Sequence, residues 1–493
     1  MIDTKSLRRR VLDLAIQGKL TEQLESDGTA EELYQQIQAE KHKLVMESKK
    51  KKEKPLPEIT ADDIPFEIPN NWRYVTLSSI TTDKTLNDGD WVLSKDMVAD
   101  GNVKLIQLGS IGECNYVEKG FKYLTHEHFQ ELKGKQIYPG YLLINRMVGD
   151  KLLDCLIPQI EGILMTAVDV CWIAPQESWY NIKYLMYMLA SASIQKKVKE
   201  LGYGTTRFRI SKLNLINIYF PFPPLAEQKR IVERVEEIFH ILDTIDEAQE
   251  KYSADVENLR SKLIIAGIQG SLTQQLDSDG TAEELYKLIQ KEKSDILKQR
   301  QGRKDNSIKP VEDDIPYEIP ENWKWIRFGE TGFFRKGPFG SSLTKSMFVP
   351  KSDDAIKVYE QQHAIKKDHT LGTYYISKAY FEESMKGFEV LSDDIIISCA
   401  GTIGETYIMP ENIEKGIINQ ALMRVTVVPS IDKRFFLYYF NSQLKAPAKA
   451  GNGSAIINIP PFDVLKNLYF PLPPLAEQKR IVDMLDELLK VIA

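Results

Sequence analysis

Apolar positions between residues 235 and 263 recur in alternating steps of three and four. They are Val235, Ile238, Leu242, Ile245, Gln249, Tyr252, Val256, Leu259 and Leu263, with charged residues between them. That spacing predicts an a/d seam along one long helix, and hence a coiled coil. Gln249 is the polar member, and a polar seam residue fixes register at some cost in stability. Pro223 and Pro224 stand where a helix starts, and Gly270 stands where it stops. Thr281 with Glu284, and Thr29 with Glu32, are capping boxes that open further helices. Elsewhere the pattern shortens. Residues 103–108, 141–145, 167–173 and 215–220 are β-branched or aromatic runs bounded by Gly, Pro or Asp, as are 355–359, 395–398, 422–428 and 468–470. These runs predict strands. Residues 184–199 and 435–444 read as helices. Each strand-rich region is therefore a mixed α/β globule of about 150 residues.

The helical stretches repeat. LRRRVLDLAIQGKLTEQLESDGTAEELYQQIQAEK at 7–41 returns as LRSKLIIAGIQGSLTQQLDSDGTAEELYKLIQKEK at 259–293. DDIPFEIPNNWRYV at 62–75 returns as DDIPYEIPENWKWI at 313–326, and YFPFPPLAEQKRIV at 219–232 returns as YFPLPPLAEQKRIV at 469–482. An offset of about 250 residues marks a tandem duplication, far longer than a solenoid repeat. Residues 76–218 and 327–468 share little sequence, so one frame carries two different inserts. The stretch 221–272 divides the halves. Its opening recurs at the C-terminus and its close at the N-terminus, and only 244–252 lack a counterpart there. The two ends together therefore make a second copy of the central helix, cut once. The expectation is that this split helix packs antiparallel on the intact one and closes a ring with pseudo-two-fold symmetry.

Size and charge add limits. At 493 residues the chain is too long for one core. A net charge of −6 does not mark a nucleic-acid binder, but phosphate contacts depend on a local face rather than on the average. Cys114, Cys155, Cys171 and Cys399 show no CxxC spacing, which points to a reducing compartment and away from a zinc site. No apolar leader or run of membrane-spanning length occurs, so a cytoplasmic chain without a membrane span is expected. The basic runs 49–54 and 298–304 read as solvated linkers.

The twice-repeated PPLAEQKRIV box, the helix ending in AIQGKLTEQ, the DGTAEELY segment and the two divergent inserts resemble the specificity (S) subunit of type I restriction–modification systems. The resemblance covers essentially the whole chain. It implies a mixed α/β fold: two globular α/β target recognition domains separated by long antiparallel coiled-coil helices, with a pseudo-two-fold, circularly permuted repeat. The corresponding segments are 1–60 (N-terminal repeated helices), 61–220 (first recognition domain), 221–311 (central helices), 312–470 (second recognition domain) and 471–493 (C-terminal repeated helix). It also implies a noncatalytic subunit in which each recognition domain reads one half of a bipartite, asymmetric double-stranded DNA target. Two methyltransferase (M) subunits dock on the helices, and two restriction (R) subunits join them. S-adenosylmethionine, ATP and Mg belong to those partners, with no cofactor expected in this chain. The C-terminal helix, which stops at Ala493, is short for the pattern.

Base edges are distinguished by Arg or Lys on guanine and by Asn or Gln on adenine, and phosphates take Lys, Arg, Ser and Thr. Such residues belong on loops between strands. In the first insert, GYGTTRFRISK offers Thr205, Thr206, Arg207 and Arg209, while Asn145, Arg146 and Lys151 follow a predicted strand. In the second, FFRKGPFGSSLTK offers Arg335, Lys336, Ser341, Ser342 and Lys345; YEQQHAIKK offers Gln361 and Gln362; GNGSAIIN offers Asn452 and Ser454. A solvated surface residue is the plainer reading of any one of them. A helix of about 40 residues sets the domains up to about 60 Å apart, so the half-sites should lie within about two turns of DNA.

Other chemistries lack their residues. No GxxxxGK[ST] string is present, which counts against nucleotide hydrolysis. His126 and His128 have no clustered third and fourth ligand and read as a surface pair. Asn458-Ile459-Pro460-Pro461-Phe462 is close to the Asn-Pro-Pro-aromatic box of adenine methyltransferases, but Ile459 interrupts it and the other repeat has no Pro-Pro there. The alternatives are thus a methyltransferase or nuclease in its own right, or a coiled-coil scaffold. Absent cofactor motifs count against the first. A scaffold has no reason to diversify only its inserts, which counts against the second.

Overall fold

The computed structural model describes residues 1–47, 59, 64–204, 207–299, 307–312, 314–445 and 461–492. The basic run 49–54 and most of 298–304 lie outside them. The chain divides into two units, Met1–Lys251 and Tyr252–Ala493, and the division falls inside one continuous central helix, Leu225–Ile268. That helix closes the first repeat and opens the second.

In the first unit, β1 (Arg73–Thr76) pairs antiparallel with β9 (Tyr219–Phe222), so the chain enters and leaves the insert at one point. Between them come β2 (Leu86–Asp88), β3 (Val103–Ile106), β4 (Lys122–Leu124), β5 (Leu142–Asn145), β6 (Leu153–Leu156), β7 (Ile163–Thr166) and β8 (Val170–Ile173). They form two sheets, β2-β8-β5-β6 and β4-β3-β7, with β3 and β7 parallel. Helices Ile182–Leu189 and Ala192–Leu201 cover the core, where Tyr184, Leu185 and Val198 are buried.

The second unit repeats this plan. The entry ribbon is β10 (Lys324–Arg327) with β20 (Tyr469–Leu472). Within it lie β11 (Gly332–Lys336), β12 (Phe348–Val349), β13 (Ala355–Tyr359), β14 (Tyr375–Ser377), β15 (Glu389–Val390), β16 (Ile395–Ser398), β17 (Thr406–Ile408), β18 (Gly416–Ile418) and β19 (Leu422–Val427). The sheets are β11-β19-β16-β17 and β12-β14-β13-β18-β15, with β13 and β18 parallel. The four-stranded sheets therefore match strand for strand, and β4-β3-β7 matches the centre β14-β13-β18 of the other sheet, to which the second unit adds β12 and β15 at the edges, although the insert sequences do not match. Aromatic packing fills this second core: Phe328, Phe435, Phe436, Phe440 and Phe470 are all buried.

Three local expectations change. Residues 215–220 are not one strand. A short helix, Lys212–Ile216, is capped by Ser211, and the strand starts only at Tyr219. Ser211 accepts from the Asn214 N–H at 3.0 Å, which commits the segment to a turn of helix before Pro221. The 184–199 helix is two helices, broken at Ala190 and Ser191, where the Ser191 hydroxyl bonds back to Met188 O at 2.6 Å. The a/d seam is not continuously buried either. Val235 and Leu242 are buried, whereas Tyr252 and Leu259 are exposed. Within each unit the partner helix covers only one end of the central helix. In the first unit the N-terminal helix (Thr4–Ile16) runs antiparallel to it, with Arg8 on Asp243 and Asp246 at 2.7 and 3.1 Å. In the second, the C-terminal helix (Leu475–Val491) packs Ile481 and Leu485 against its last turns at Gly267. Gln249 is not a core residue. Its amide grips both the N–H and the carbonyl of Ile2, so it sets the register of the N-terminal helix from the surface.

The repeated segments meet in a buried knot. Glu227, wholly buried, accepts from Trp72 Nε1 at 2.8 Å, Gln23 Nε2 at 2.9 Å and Thr21 Oγ1 at 3.2 Å. Glu477 accepts from Trp323, Gln275 and Thr273 at 2.9, 2.9 and 3.1 Å. Gln228 accepts from the Asn181 N–H and Gln478 from the Asp432 N–H, both at 2.9 Å, which ties each box to its insert. Arg230 clasps Asp27 at 2.9 and 2.6 Å, and Arg480 clasps Asp279 at 2.8 and 2.6 Å. These charge-assisted hydrogen bonds hold both carboxyls below their ordinary pKa. Gly18 and Gly270 have positive φ, and a Cβ there would lie 2.4 Å from Pro69 or 2.5 Å from Pro320. The AEQKR box is thus where all three repeated segments lock together.

Candidate nucleic-acid interface

In both units the loops gather at one end of the sheets. In the first unit this end carries the turn after β2, residues 167–169 before β8, residues 146–151 after β5, and the hairpin Tyr203–Arg209. Arg146 sits among them. It is buried; its Nη1 donates to Ile210 O at 3.1 Å and its Nη2 to Val168 O at 2.5 Å, while its Nε lies 3.1 Å from Asp88 Oδ1. Burial raises the Asp88 pKa, and the Arg146 charge opposes that most strongly. Arg146 therefore staples three loops together rather than facing solvent. Asn145 is likewise buried, and its Oδ1 accepts from the Met147 N–H at 2.9 Å. Lys151 is bound to Glu113 at 2.5 and 2.7 Å.

The 203–209 hairpin is seated on that staple. Met147 bridges Arg209, the Val148 N–H donates to Phe208 O at 2.9 Å, and the Ile210 N–H donates to Arg146 O at 3.0 Å. Arg207 and Arg209 are exposed, with the Arg209 guanidinium 5.4 Å from the Tyr203 ring centre. The structure thus joins two candidate loops that are about 60 residues apart in sequence. Thr205 and Thr206 lie outside the described residues.

In the second unit the same end carries the turn after β11, residues 419–421 before β19, and residues 399–404 after β16. Lys336, the last residue of β11, and Ser341 and Lys345 on the first of these are exposed. Ser342 is half-buried, and its carbonyl accepts from Tyr380 OH at 2.7 Å. Arg335 is exposed within β11, with its guanidinium 4.4 Å from the Phe388 ring centre. Gln361 and Gln362 open a short helix, Gln361–Lys366, after β13; Gln362 donates to Glu360 at 2.9 Å. The Asn419 N–H donates to Tyr359 O at 2.9 Å, which brings that helix to the 419–421 loop. Asn452 and Ser454 lie outside the described residues, as do 458–460 of the Asn-Ile-Pro-Pro stretch. His126 contacts Gln130 at 2.9 Å and His128 contacts Glu131 at 3.3 Å, so the two rings face separate partners.

Sequence reasoning missed the role of Glu227 and Glu477. The signal was present: AEQKR is identical in both copies, and each copy has a Trp in its NW segment. It also passed over Trp91 and Phe339.

Two α/β units of matched strand order, each presenting a loop end with different side chains, define a two-domain recognition protein built on a duplicated frame. A family model described as a type I restriction modification DNA specificity domain matches residues 162–252 and 349–493. The chain is 25% identical to the type I restriction enzyme EcoAI specificity subunit of Escherichia coli, over 99% of this chain and 89% of that protein. It is 24% identical to the EcoEI specificity subunit of the same organism, with the same coverage. A solved structure concerned with complex assembly and conformational transition of the type I R-M system shares the fold, with a TM-score of 0.54 and 18% identity over 87% of this chain and 92% of that one. The matched family model, the two specificity subunits and the shared fold together support a type I restriction–modification specificity subunit, and the named relatives imply a noncatalytic role. Among the described residues, no helix is long and apolar enough to cross a membrane.

Proposed function

We propose that each unit reads one half of a bipartite, asymmetric double-stranded DNA target through its loop end, and that the repeated helices dock two methyltransferase subunits, which two restriction subunits join. The observation that carries this reading is the matched strand order with unmatched loops: one scaffold, presented twice, with different side chains at the reading end. Arg207 and Arg209 serve the first half-site, and Lys336, Ser341, Lys345, Gln361 and Gln362 the second. Arg146 and Asn145 hold the first reading surface in shape. The candidates Thr205, Thr206, Asn452 and Ser454 belong to the same loops by sequence. S-adenosylmethionine, ATP and Mg act on the partner subunits, where the methyl transfer and the ATP-driven steps take place; a cytoplasmic location follows from that substrate. The test is to assemble the chain with its methyltransferase subunits, methylate random-sequence DNA and sequence the modified sites. Two different half-sites at fixed separation are expected. Exchanging 76–218 for the corresponding segment of another such chain should change one half-site and leave the other. A single continuous site, or a change in both halves, would sink the assignment.

A further inference from the structure

Trp91 is 69% exposed and Phe339 is 86% exposed, the two most exposed aromatic side chains among the described residues. A single exposed apolar residue needs no explanation. These two hold the same position in the fold. The Gly89 N–H donates to Val170 O at 2.8 Å and the Gly337 N–H to Leu422 O at 2.9 Å. Val170 and Leu422 are the first residues of β8 and β19, which match in the two sheet orders. At each glycine the neighbouring loop presses close: a Cβ would meet Thr166 O and Ala167 O at 2.3 Å, or Asn419 O at 1.9 Å. The glycine pins the turn, and the aromatic stands two residues further on. The sequences there, GDW and GPF, share only the glycine. The aromatic has thus been placed twice in loops that are otherwise different. Behind Phe339 the turn is fixed by the Ser342 N–H on Phe339 O at 2.8 Å and by buried Leu343.

We infer that Trp91 and Phe339 are a matched pair of wedges, each entering the stacked bases of one DNA half-site. The inference rests on the DNA-reading assignment above. An aromatic ring on a rigid turn loses little side-chain entropy on insertion, and apolar wedges between base steps repay the unstacking by widening the contact. Every base offers a π-face, so a wedge suits a position kept while the specificity around it changes. The exposed cations Lys95, four residues after Trp91, and Lys336 and Lys345, on either side of Phe339, suit the flanking phosphates.

The experiment uses the complex with methyltransferase subunits and duplexes of the sequenced target carrying 2-aminopurine at successive steps of each half-site. Wild type should raise the fluorescence at one step per half-site. Trp91→Ala should abolish the rise in the first unit's half-site alone and weaken binding about 10- to 100-fold. Phe339→Ala should do the same in the other half-site, and Phe339→Trp should restore it. Both side chains are exposed, so the melting temperatures should not move. Unchanged fluorescence and affinity in both alanine variants overturns the wedge, and so does loss of subunit assembly in the absence of DNA, which would make the aromatics protein-docking contacts. A wild-type complex that binds no bipartite duplex overturns the DNA-reading assignment itself.

Discussion

The knot at the base of each unit and the loops at its far end obey opposite rules. At the knot, Glu227 and Glu477 accept from the same three residue types at distances that agree within 0.1 Å, and Arg230 and Arg480 clasp Asp27 and Asp279 equally closely. At the loops, Arg146 staples the first unit, whereas Ser398, whose Oγ donates to Thr402 O at 2.5 Å, turns the corresponding loop of the second. A buried polar network fails as a whole if one member is lost, which keeps both copies alike. A loop needs only to be held, by whatever bonds are at hand, and is then free to differ.

The largest effect should come from breaking the knot. Glu227→Ala leaves the buried Trp72 indole without its acceptor, takes one from the half-buried Thr21 hydroxyl, and leaves the Gln23 amide only Gly18 O and Thr21 O. We expect about 3–5 kcal/mol of destabilisation, and the same for Glu477→Ala in the second unit. Thermal melts followed by limited proteolysis should show each variant loosening its own unit. If one of the pair proves silent, the two knots are not equivalent and the comparison fails.

That knot also shows how far the sequence is legible. The duplication, the long helix, the capping boxes and most strands follow from period and punctuation alone. The repeated boxes were legible as important but not as a meeting point, because Trp72 and Glu227 are about 150 residues apart and no local pattern links them. The loop end was legible only as a list of polar loop residues. Arg146 looks no different in sequence from Arg207, yet one is buried among carbonyls and the other is exposed. Depth decides which of them is free, and depth comes from tertiary packing. Spacing puts Gln249 in the seam, but the N-terminal helix begins only at Thr4, so the Gln249 amide closes on Ile2 instead.

The Arg146–Arg207 contrast supplies the next test. Arg146→Ala removes two carbonyl contacts and strands Asp88, which retains some solvent; about 2–3 kcal/mol of stability should be lost, somewhat below the figure for a fully buried pair. Arg207→Ala should leave the melt within about 0.5 kcal/mol of wild type. It should instead lower discrimination at one base pair by about 1–3 kcal/mol, read from methylation of mismatched targets. Equal melting losses in the two variants would show that both arginines are structural.

The smallest effect concerns a carboxyl that only one unit has. Asp154 on β6 is buried, with the Cys114 thiol and backbone as its polar neighbours, and burial raises its pKa well above the ordinary value. Strand β17, which holds the corresponding edge of the second unit, is Thr406–Ile408 and carries no carboxylate. The folded state thus holds a proton that the unfolded chain releases near pH 4. Stability from this group is greatest below the unfolded value and falls as pH rises towards the folded one. Asp154→Asn keeps the shape and removes the ionisation, so it should raise the melting temperature of the first unit at pH 7. The gain should disappear near pH 3, where Asp154 is protonated in both states. The second unit, lacking the group, should melt alike in variant and wild type at both pH values. A gain that persists at pH 3 would assign the effect to packing around Cys114 and Cys155 rather than to the buried charge.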